Sequence, residues 1–410
     1  MKDDGHDWRQ RRNWPAMTIG CVIALAMAAC TPARSPVAAP TGTPADAPAQ
    51  RPTVPNPQPP AGAASEFRTD FSKSLVSFEE ILSGGPPKDG IPAIDAPKFV
   101  SVTEADTWLK PLEPVIRVEI NGQARAYPLQ ILTWHEIVND TLGGVPVVVS
   151  FCPLCNTAIA FRRVAAGRPL DFGTTGRLRY SNLIMYDRQT ESWWQQATGQ
   201  AIVGELAGAR LEFVPAAIIG WQDFKQTHPT GSVLSRDTGH KRDYGRNPYV
   251  GYDDVTRPPF LYQGPRIDSA LPPVARVLGV EINGEAVAYP YDALETQGVI
   301  NDTVGSAPVV VVWQAGAASA LDAPIISEGR DVGAAVAYDR RVGEITLTFR
   351  MDNGRIVDEQ TGSVWRMTGR AVEGALAGQA LTPVVAVNHF WFSWSVFKPD
   401  ARVYSSQSTR

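Results

Sequence analysis

Apolar and polar residues alternate along most of the chain after residue 98, which is the pattern of short β-strands. The segment 115–120 alternates and ends at Asn121-Gly122, a pair typical of the tight turn of a β-hairpin. A continuous apolar run over 145–151 predicts a buried strand. The most helix-like segments are 129–138 and 216–227. The pattern therefore indicates an α+β fold in which β-structure dominates.

Two parts of the chain repeat this pattern. Residues 118–128 read VEINGQARAYP and residues 280–290 read VEINGEAVAYP, so nine of the eleven positions are identical at an offset of 162. Asn139-Asp140-Thr141 recurs at the same offset as Asn301-Asp302-Thr303. Chance does not produce several long matches at one spacing, so we predict an internal duplication.

The duplication sets the predicted domain boundaries. We expect a first copy over 67–272, which includes the loop between the copies, and a degenerate second copy over 273–410. Further along the chain, Tyr186-Asp187-Arg188 is matched with Tyr338-Asp339-Arg340. Two homologous, β-rich domains are the expected architecture.

The N-terminus is typical of an exported protein. Three arginines precede an apolar run over 16–29 that is too short to span a bilayer. Met27-Ala28-Ala29-Cys30 resembles the lipobox of bacterial lipoproteins, so we predict a lipoprotein signal peptide over 1–29 and lipidation of Cys30. Thr31, in place of Asp, favours the outer membrane, with the protein facing the periplasm. Arg11-Arg12 resembles part of a twin-arginine signal, which leaves the export route open.

The segment 30–66 predicts a disordered tether. It contains ten prolines and many alanines but almost no large apolar side chain, so it cannot form a core. The whole chain has a net charge of -4, which argues against nucleic acid as a partner. The predicted partner is therefore a membrane, reached through the lipid on Cys30.

Only two of the four cysteines fall in the predicted folded part, because Cys21 lies in the signal peptide and Cys30 carries the lipid. Cys152 and Cys155 form a C-P-L-C motif and align with Gln314 and Ala317 of the second copy. His135 and Glu136 align with Gln297 and Gly298 in the same way. Residues that packing alone requires tend to persist in both copies. The joint loss therefore indicates that Cys152, Cys155 and His135 act together in the first copy.

Three interpretations of this group remain open. Two thiolates and an imidazole suit zinc or copper, with Cys152, Cys155 and His135 as metal ligands and His240 as a candidate fourth. Alternatively, the pair is a thiol-disulfide oxidoreductase centre in which Cys152 attacks and Cys155 resolves. The third interpretation is a structural disulfide or two core thiols in a non-catalytic envelope scaffold. The polar segment 236–254 between the copies is placed to cover the site.

Several motifs resemble one bacterial and archaeal family of unknown function, which is known by a C-P-L-C-x-T motif. The motifs are FCPLCNT at 151–157, YDRQTES at 186–192, GELAG at 204–208 and SRDTGH at 235–240. The resemblance covers roughly residues 80–405. It implies no reaction, but it supports His135, Cys152 and Cys155 as signature positions.

Overall fold

The computed structural model of this protein describes residues 58–405. The predicted signal peptide, Cys30 and most of the tether lie outside these residues. β-Structure dominates, which confirms the predicted α+β class. The predicted tether extends to residue 66, but Ala63–Glu66 is a helix and Ala63 is fully buried. The folded region therefore begins before the predicted boundary.

The first part of the chain ends with the strand that precedes a long connecting loop over residues 235–275. Its elements are α1 (Ala63–Glu66), β1 (Ile81–Ser83), β2 (Phe99–Ser101), α2 (Val102–Ala105), β3 (Pro114–Ile120), β4 (Gln123–Pro128), α3 (Leu129–His135), β5 (Ile137–Leu142), β6 (Val145–Cys152), β7 (Thr157–Arg162), β8 (Val164–Ala165), β9 (Arg168–Pro169), β10 (Phe172–Arg179), β11 (Asn182–Asp187), β12 (Trp193–Gln195), β13 (Gln200–Val203), β14 (Glu212–Val214), β15 (Ala216–Gly220), α4 (Trp221–Thr227) and β16 (Ser232–Leu234).

The remaining elements follow that loop. They are β17 (Arg276–Ile282), β18 (Glu285–Pro290), α5 (Tyr291–Gln297), β19 (Val299–Val304), β20 (Ala307–Gln314), β21 (Ala334–Asp339), β22 (Arg341–Val342), β23 (Ile345–Thr346), β24 (Phe349–Asp352), β25 (Arg355–Asp358), β26 (Val364–Trp365), β27 (Ala371–Glu373), β28 (Thr382–Pro383), β29 (Ala386–Phe390), α6 (Trp391–Phe397) and β30 (Arg402–Val403). Short 3-10 turns occupy Phe78–Glu80, Pro153–Cys155 and Ile326–Glu328.

The largest sheet contains strands from both parts of the chain. Its order is β30-β18-β17-β29-β7-β6-β5, and β14 pairs with the side of β7. The two parts join where Asn388 of β29 pairs with Ala158 of β7. The other main sheets are β15-β3-β4-β16-β2, β19-β20-β21-β28, β1-β10-β11-β12-β13 and β24-β25-β26-β27. The two parts therefore share one sheet.

The predicted hairpin is confirmed. Strands β3 and β4 pair across Asn121 and Gly122, which both have positive φ angles, as a tight hairpin turn requires. The predicted helix over 216–227 is wrong in its first half, because residues 216–220 form β15 and pair with β3. Pairing in the sheet overrides the local helical pattern there.

The elements from β17 to β20 follow the same order and register as those from β3 to β6. The difference lies in the next turn. Cys152 pairs with Thr157, and four residues connect them, whereas nineteen residues connect the corresponding pair, Gln314 and Ala334. Because of the longer connection, Ala317 lies in a loop and is not the structural equivalent of Cys155.

The longer connection also changes the later matches. Asp187 accepts hydrogen bonds from the Thr190 hydroxyl and the Trp194 indole N–H, each at 2.9 Å. Asp358 accepts bonds from Thr361 and Trp365, at 2.8 and 2.9 Å. Asp358, rather than Asp339, therefore occupies the position that corresponds to Asp187, and the match of 186–188 with 338–340 is wrong.

None of the helices within residues 58–405 has the length and apolar character that crossing a membrane requires.

Candidate thiol site

The two cysteines lie at the end of β6 and in the turn that follows it. Cys152 is the last residue of β6, and a single 3-10 turn brings Cys155 back beside it. Asn156 then takes a positive φ of 50°, a conformation that Asn tolerates better than most residues, and the chain enters β7. Both thiols are free and buried. The short turn thus places the two reduced sulfurs close enough for each thiol to shift the pKa of the other.

The two sulfurs have different surroundings. Burial opposes ionisation of Cys155, but hydrogen bonds from Cys152, Thr157 and Asn182 outweigh burial and lower the pKa of this thiol. The Asn182 side-chain amide donates to the Cys155 sulfur at 2.9 Å. For Cys152, burial raises the pKa well above its usual value, and the neighbouring Cys155 adds to the effect. Cys155 is therefore the sulfur that the site stabilises as a thiolate.

A network of buried amides holds Asn182 in this orientation. Its side-chain oxygen accepts a hydrogen bond from Gln195 Nε2 at 2.5 Å and another from the backbone N–H of Ala197 at 3.1 Å. Its Nδ2 also donates to Gln196 Oε1 at 2.9 Å. Because the oxygen is occupied, the N–H group faces the sulfur.

Glu136 lies beside this pair as a buried acid. Burial raises its pKa to about 8, and Cys155 contributes to the same shift. Its backbone is left-handed, with a φ of 57°, and Gly298 occupies the corresponding position with a φ of 69°. A non-glycine residue costs about 1 to 2 kcal/mol in this conformation. The first half therefore retains a carboxyl group at a position where glycine would be the less strained choice.

The long connecting loop covers the site, as its position in the sequence suggested. Tyr249 and Tyr252 pack against the hydrophobic cluster that contains both cysteines. Burial raises the pKa of both phenols, and Cys152 reinforces the shift in each case. Ser393 of α6 also lies close enough to Cys155 to lower its pKa. The thiols are thus enclosed by residues from three separate parts of the chain.

The two histidines proposed as metal ligands make other contacts. His135 uses both ring nitrogens, one with the Pro92 carbonyl and one with the Tyr244 hydroxyl, each at 2.7 Å. Burial lowers its pKa to about 4, so the ring is neutral at pH 7. His240 is exposed, and its ring centroid lies 5.4 Å from that of His135. Within residues 58–405, no three His, Cys, Asp or Glu side chains are arranged to hold a metal ion.

Sequence reasoning found the two cysteines but missed their polar partners. Thr157 belongs to the C-P-L-C-x-T motif, and its hydroxyl bonds to His389 Nδ1 at 2.8 Å. Asn182, Ser393 and His389 carried no local signal, since each reaches the site from a distant element. Only the sheet that joins β7 to β29 brings His389 next to Thr157.

Comparisons of the chain with curated proteins and with solved structures found no match. Residues 88–401 match a family described as "Protein of unknown function (DUF3179)". This match spans both cysteines, the connecting loop and almost all of the second half. The chain therefore belongs to the DUF3179 family.

Proposed function

We propose that Cys152 and Cys155 form a thiol-disulfide exchange centre in which Cys155 is the nucleophile. The observation that carries the proposal is the hydrogen bond that the Asn182 side-chain amide donates to the Cys155 sulfur at 2.9 Å. A thiolate, rather than a thiol, attacks a disulfide. This order is the reverse of the one expected from sequence, in which Cys152 attacks.

The exchange balances with a disulfide as the co-reactant. Because both thiols are enclosed, the connecting loop has to open before a disulfide R–S–S–R can reach them. The Cys155 thiolate then attacks one sulfur of R–S–S–R, forms a mixed disulfide and releases RS⁻. Cys152 then loses its proton, attacks the Cys155 sulfur and releases the second RS⁻. The cysteine pair is oxidised by two electrons, the co-reactant is reduced to two thiols, and the released thiolates take up the available protons.

A metal site is the competing proposal. Two adjacent thiolates suit a soft ion such as copper, and zinc would need further ligands. His135 would have to give up its hydrogen bond to Pro92 or to Tyr244 before that ring nitrogen could bind a metal. The free dithiol is therefore the better supported of the two.

We further propose that the protein is exported and anchored to the outer membrane by a lipid on Cys30, and that its two halves arose by duplication. The lipobox and signal-like pattern support the first proposal. The shared strand order and register of β3 to β6 and β17 to β20 support the second. Metabolic labelling with a radioactive fatty acid tests the anchor, because a Cys30→Ser variant should lose the label.

Mixed-disulfide trapping tests the thiol proposal. Purified Cys152→Ser and Cys155→Ser variants are incubated with oxidised glutathione, and the mass increase on the peptide that contains the remaining cysteine of the pair is followed over time. We expect Cys155 in the first variant to react at least about tenfold faster than Cys152 in the second. The opposite order, or two equal rates, would contradict the assignment.

The wild-type protein provides the second measurement. Its dithiol should equilibrate with a dithiothreitol redox buffer at a potential above about -300 mV, the upper limit typical of structural bridges. Metal analysis of the reduced protein separates the competing proposal. One bound copper or zinc that is lost in Cys155→Ser would favour the metal site.

A further inference from the structure

The part of the chain up to β16 and the part from β17 onward meet along two similar lines of contact, which we call seams. At the cysteine-side seam, β29 pairs with β7, which follows the C-P-L-C turn. At the opposite seam, β15 lies beside β21. The strands of one seam correspond to those of the other, since β21 follows β20 as β7 follows β6. The side chains that fill one seam can therefore be compared with those at the corresponding positions of the other.

A buried arginine fills the opposite seam. Arg117 of β3 is only 7% exposed, and its positive charge opposes the rise that burial causes in the pKa of the neighbouring Tyr338. Glu119 lies two residues along the same strand. Its carboxylate oxygens lie 3.5 Å from Arg370 Nη2 and 3.9 Å from His228 Nε2. The hollow that remains beside Arg117 has a volume of about 10 Å³. This seam is closed by its own side chains.

The cysteine-side seam lacks that arginine. Gly279 of β17 occupies the position that corresponds to Arg117, at the same offset of 162 as the repeated motif. A Cβ atom at Gly279 would lie 2.3 Å from the ring of Trp394, so the indole lies directly over the glycine backbone. A cleft of about 440 Å³ opens beside them. Its volume is in the range of small-molecule sites.

The walls of this cleft combine an apolar surface with positive charge. Phe213, Trp394 and Phe397 supply aromatic surface. Arg210 and Lys398 supply two cations against one carboxylate, Glu281, which pairs with Lys398. Arg210 forms no ion pair within the part of the chain that the structure describes. The cleft therefore has an aromatic floor and one positive charge without a counter-ion.

We propose that this cleft binds a small organic anion with an aromatic or apolar body. The anionic group would meet Arg210, and the body would pack against Trp394 and Phe213 in the space that Arg117 fills in the opposite seam. His389 also lines the cleft and bonds to Thr157, which contacts Cys155. His389 and Thr157 would thus separate a bound molecule from Cys155. The binding proposal does not depend on a redox role of the two cysteines.

Fluorescence titration tests the proposal with 8-anilinonaphthalene-1-sulfonate, an aromatic anion. We expect saturable binding of one molecule per chain. Gly279→Arg introduces, in the cysteine-side seam, the arginine that Arg117 provides in the opposite seam. The new side chain should fill the cleft and abolish binding. Ile345→Arg adds the same charge on an exposed hairpin and serves as the matched control, with binding unchanged.

Two further arms keep the test decisive if Gly279→Arg fails to fold. Arg210→Gln changes an exposed side chain and should weaken binding about tenfold, since it removes one charged contact. N-phenyl-1-naphthylamine, the same aromatic body without the sulfonate, should bind about tenfold more weakly for the same reason. Unchanged affinity in folded Gly279→Arg would overturn the cleft as the site. Equal affinity of the two probes, or of wild type and Arg210→Gln, would overturn the preference for an anion.

Discussion

The buried carboxyl of Glu136 should make the stability of the protein depend on pH in a defined direction. Its pKa is about 8 in the folded protein, against an ordinary value of 4.5. The folded state therefore holds this proton more tightly than the unfolded chain does. The stabilisation is complete below pH 4.5 and is lost as the pH rises toward 8. Replacing Glu136 with Gln should remove this dependence while keeping the size and the backbone conformation of the residue.

The magnitude follows from the shift. Each pH unit between the two pKa values costs about 1.4 kcal/mol of unfolding free energy. Other buried groups titrate in the acid range: the pKa of His135 and of His228 is lowered to about 4, and that of Asp223 is raised to about 6. These three groups therefore contribute little to the pH dependence of stability between pH 6.5 and 8. Within it, Glu136 should account for a loss of about 1.5 kcal/mol.

Urea denaturation at several pH values in this window is the assay. The free energy of unfolding of wild type should fall relative to that of Glu136→Gln by about 1.5 kcal/mol between pH 6.5 and 8. Glu344→Gln, which removes an exposed carboxylate, is the control and should run parallel to wild type. A difference between wild type and Glu136→Gln that stays constant across the window would refute the argument.

Three other outcomes are expected. Asn182→Ala removes the amide donor to Cys155 and should raise the pKa of that thiol, measured by the ultraviolet absorbance of the thiolate. Gly220→Ala places a Cβ 2.0 Å from the Gly316 carbonyl oxygen, so it should lower the unfolding free energy by about 1 to 3 kcal/mol in urea denaturation. Asp187→Ala removes the acceptor of the half-buried Thr190 hydroxyl and leaves the buried Trp194 indole N–H without a partner, so it should cost about 1 to 3 kcal/mol in the same assay.

Local sequence signals predicted the local features of this structure. The Asn121-Gly122 turn depends on two backbone conformations that these residues favour, so the hairpin was predictable. The sequence pointed to the cysteine pair because the second half of the chain contains no cysteine. Residues 216–220 were predicted wrongly because their conformation is set by pairing with β3, far away in the sequence.

The partners of the thiols show the same limit. Asn182 and Ser393 contact Cys155 only after separate sheets and a terminal helix have packed together. No spacing between residues 155, 182 and 393 indicates that contact. The mismatch at 186–188 has a related origin, since a longer hairpin in the second half shifts the alignment without leaving a gap that short motifs reveal.

The joining of β7 to β29 also determines when the thiol site can form. The paired residues Ala158 and Asn388 lie 230 positions apart, and Ser393 follows a few residues later. Contacts between such distant segments form late in folding, because the intervening chain must first be ordered. Cys152 and Cys155 therefore stay uncovered until β29 and Ser393 have packed against them. Until then they are open to premature oxidation in an oxidising compartment, and the enclosed dithiol is a state that the chain reaches only late in folding.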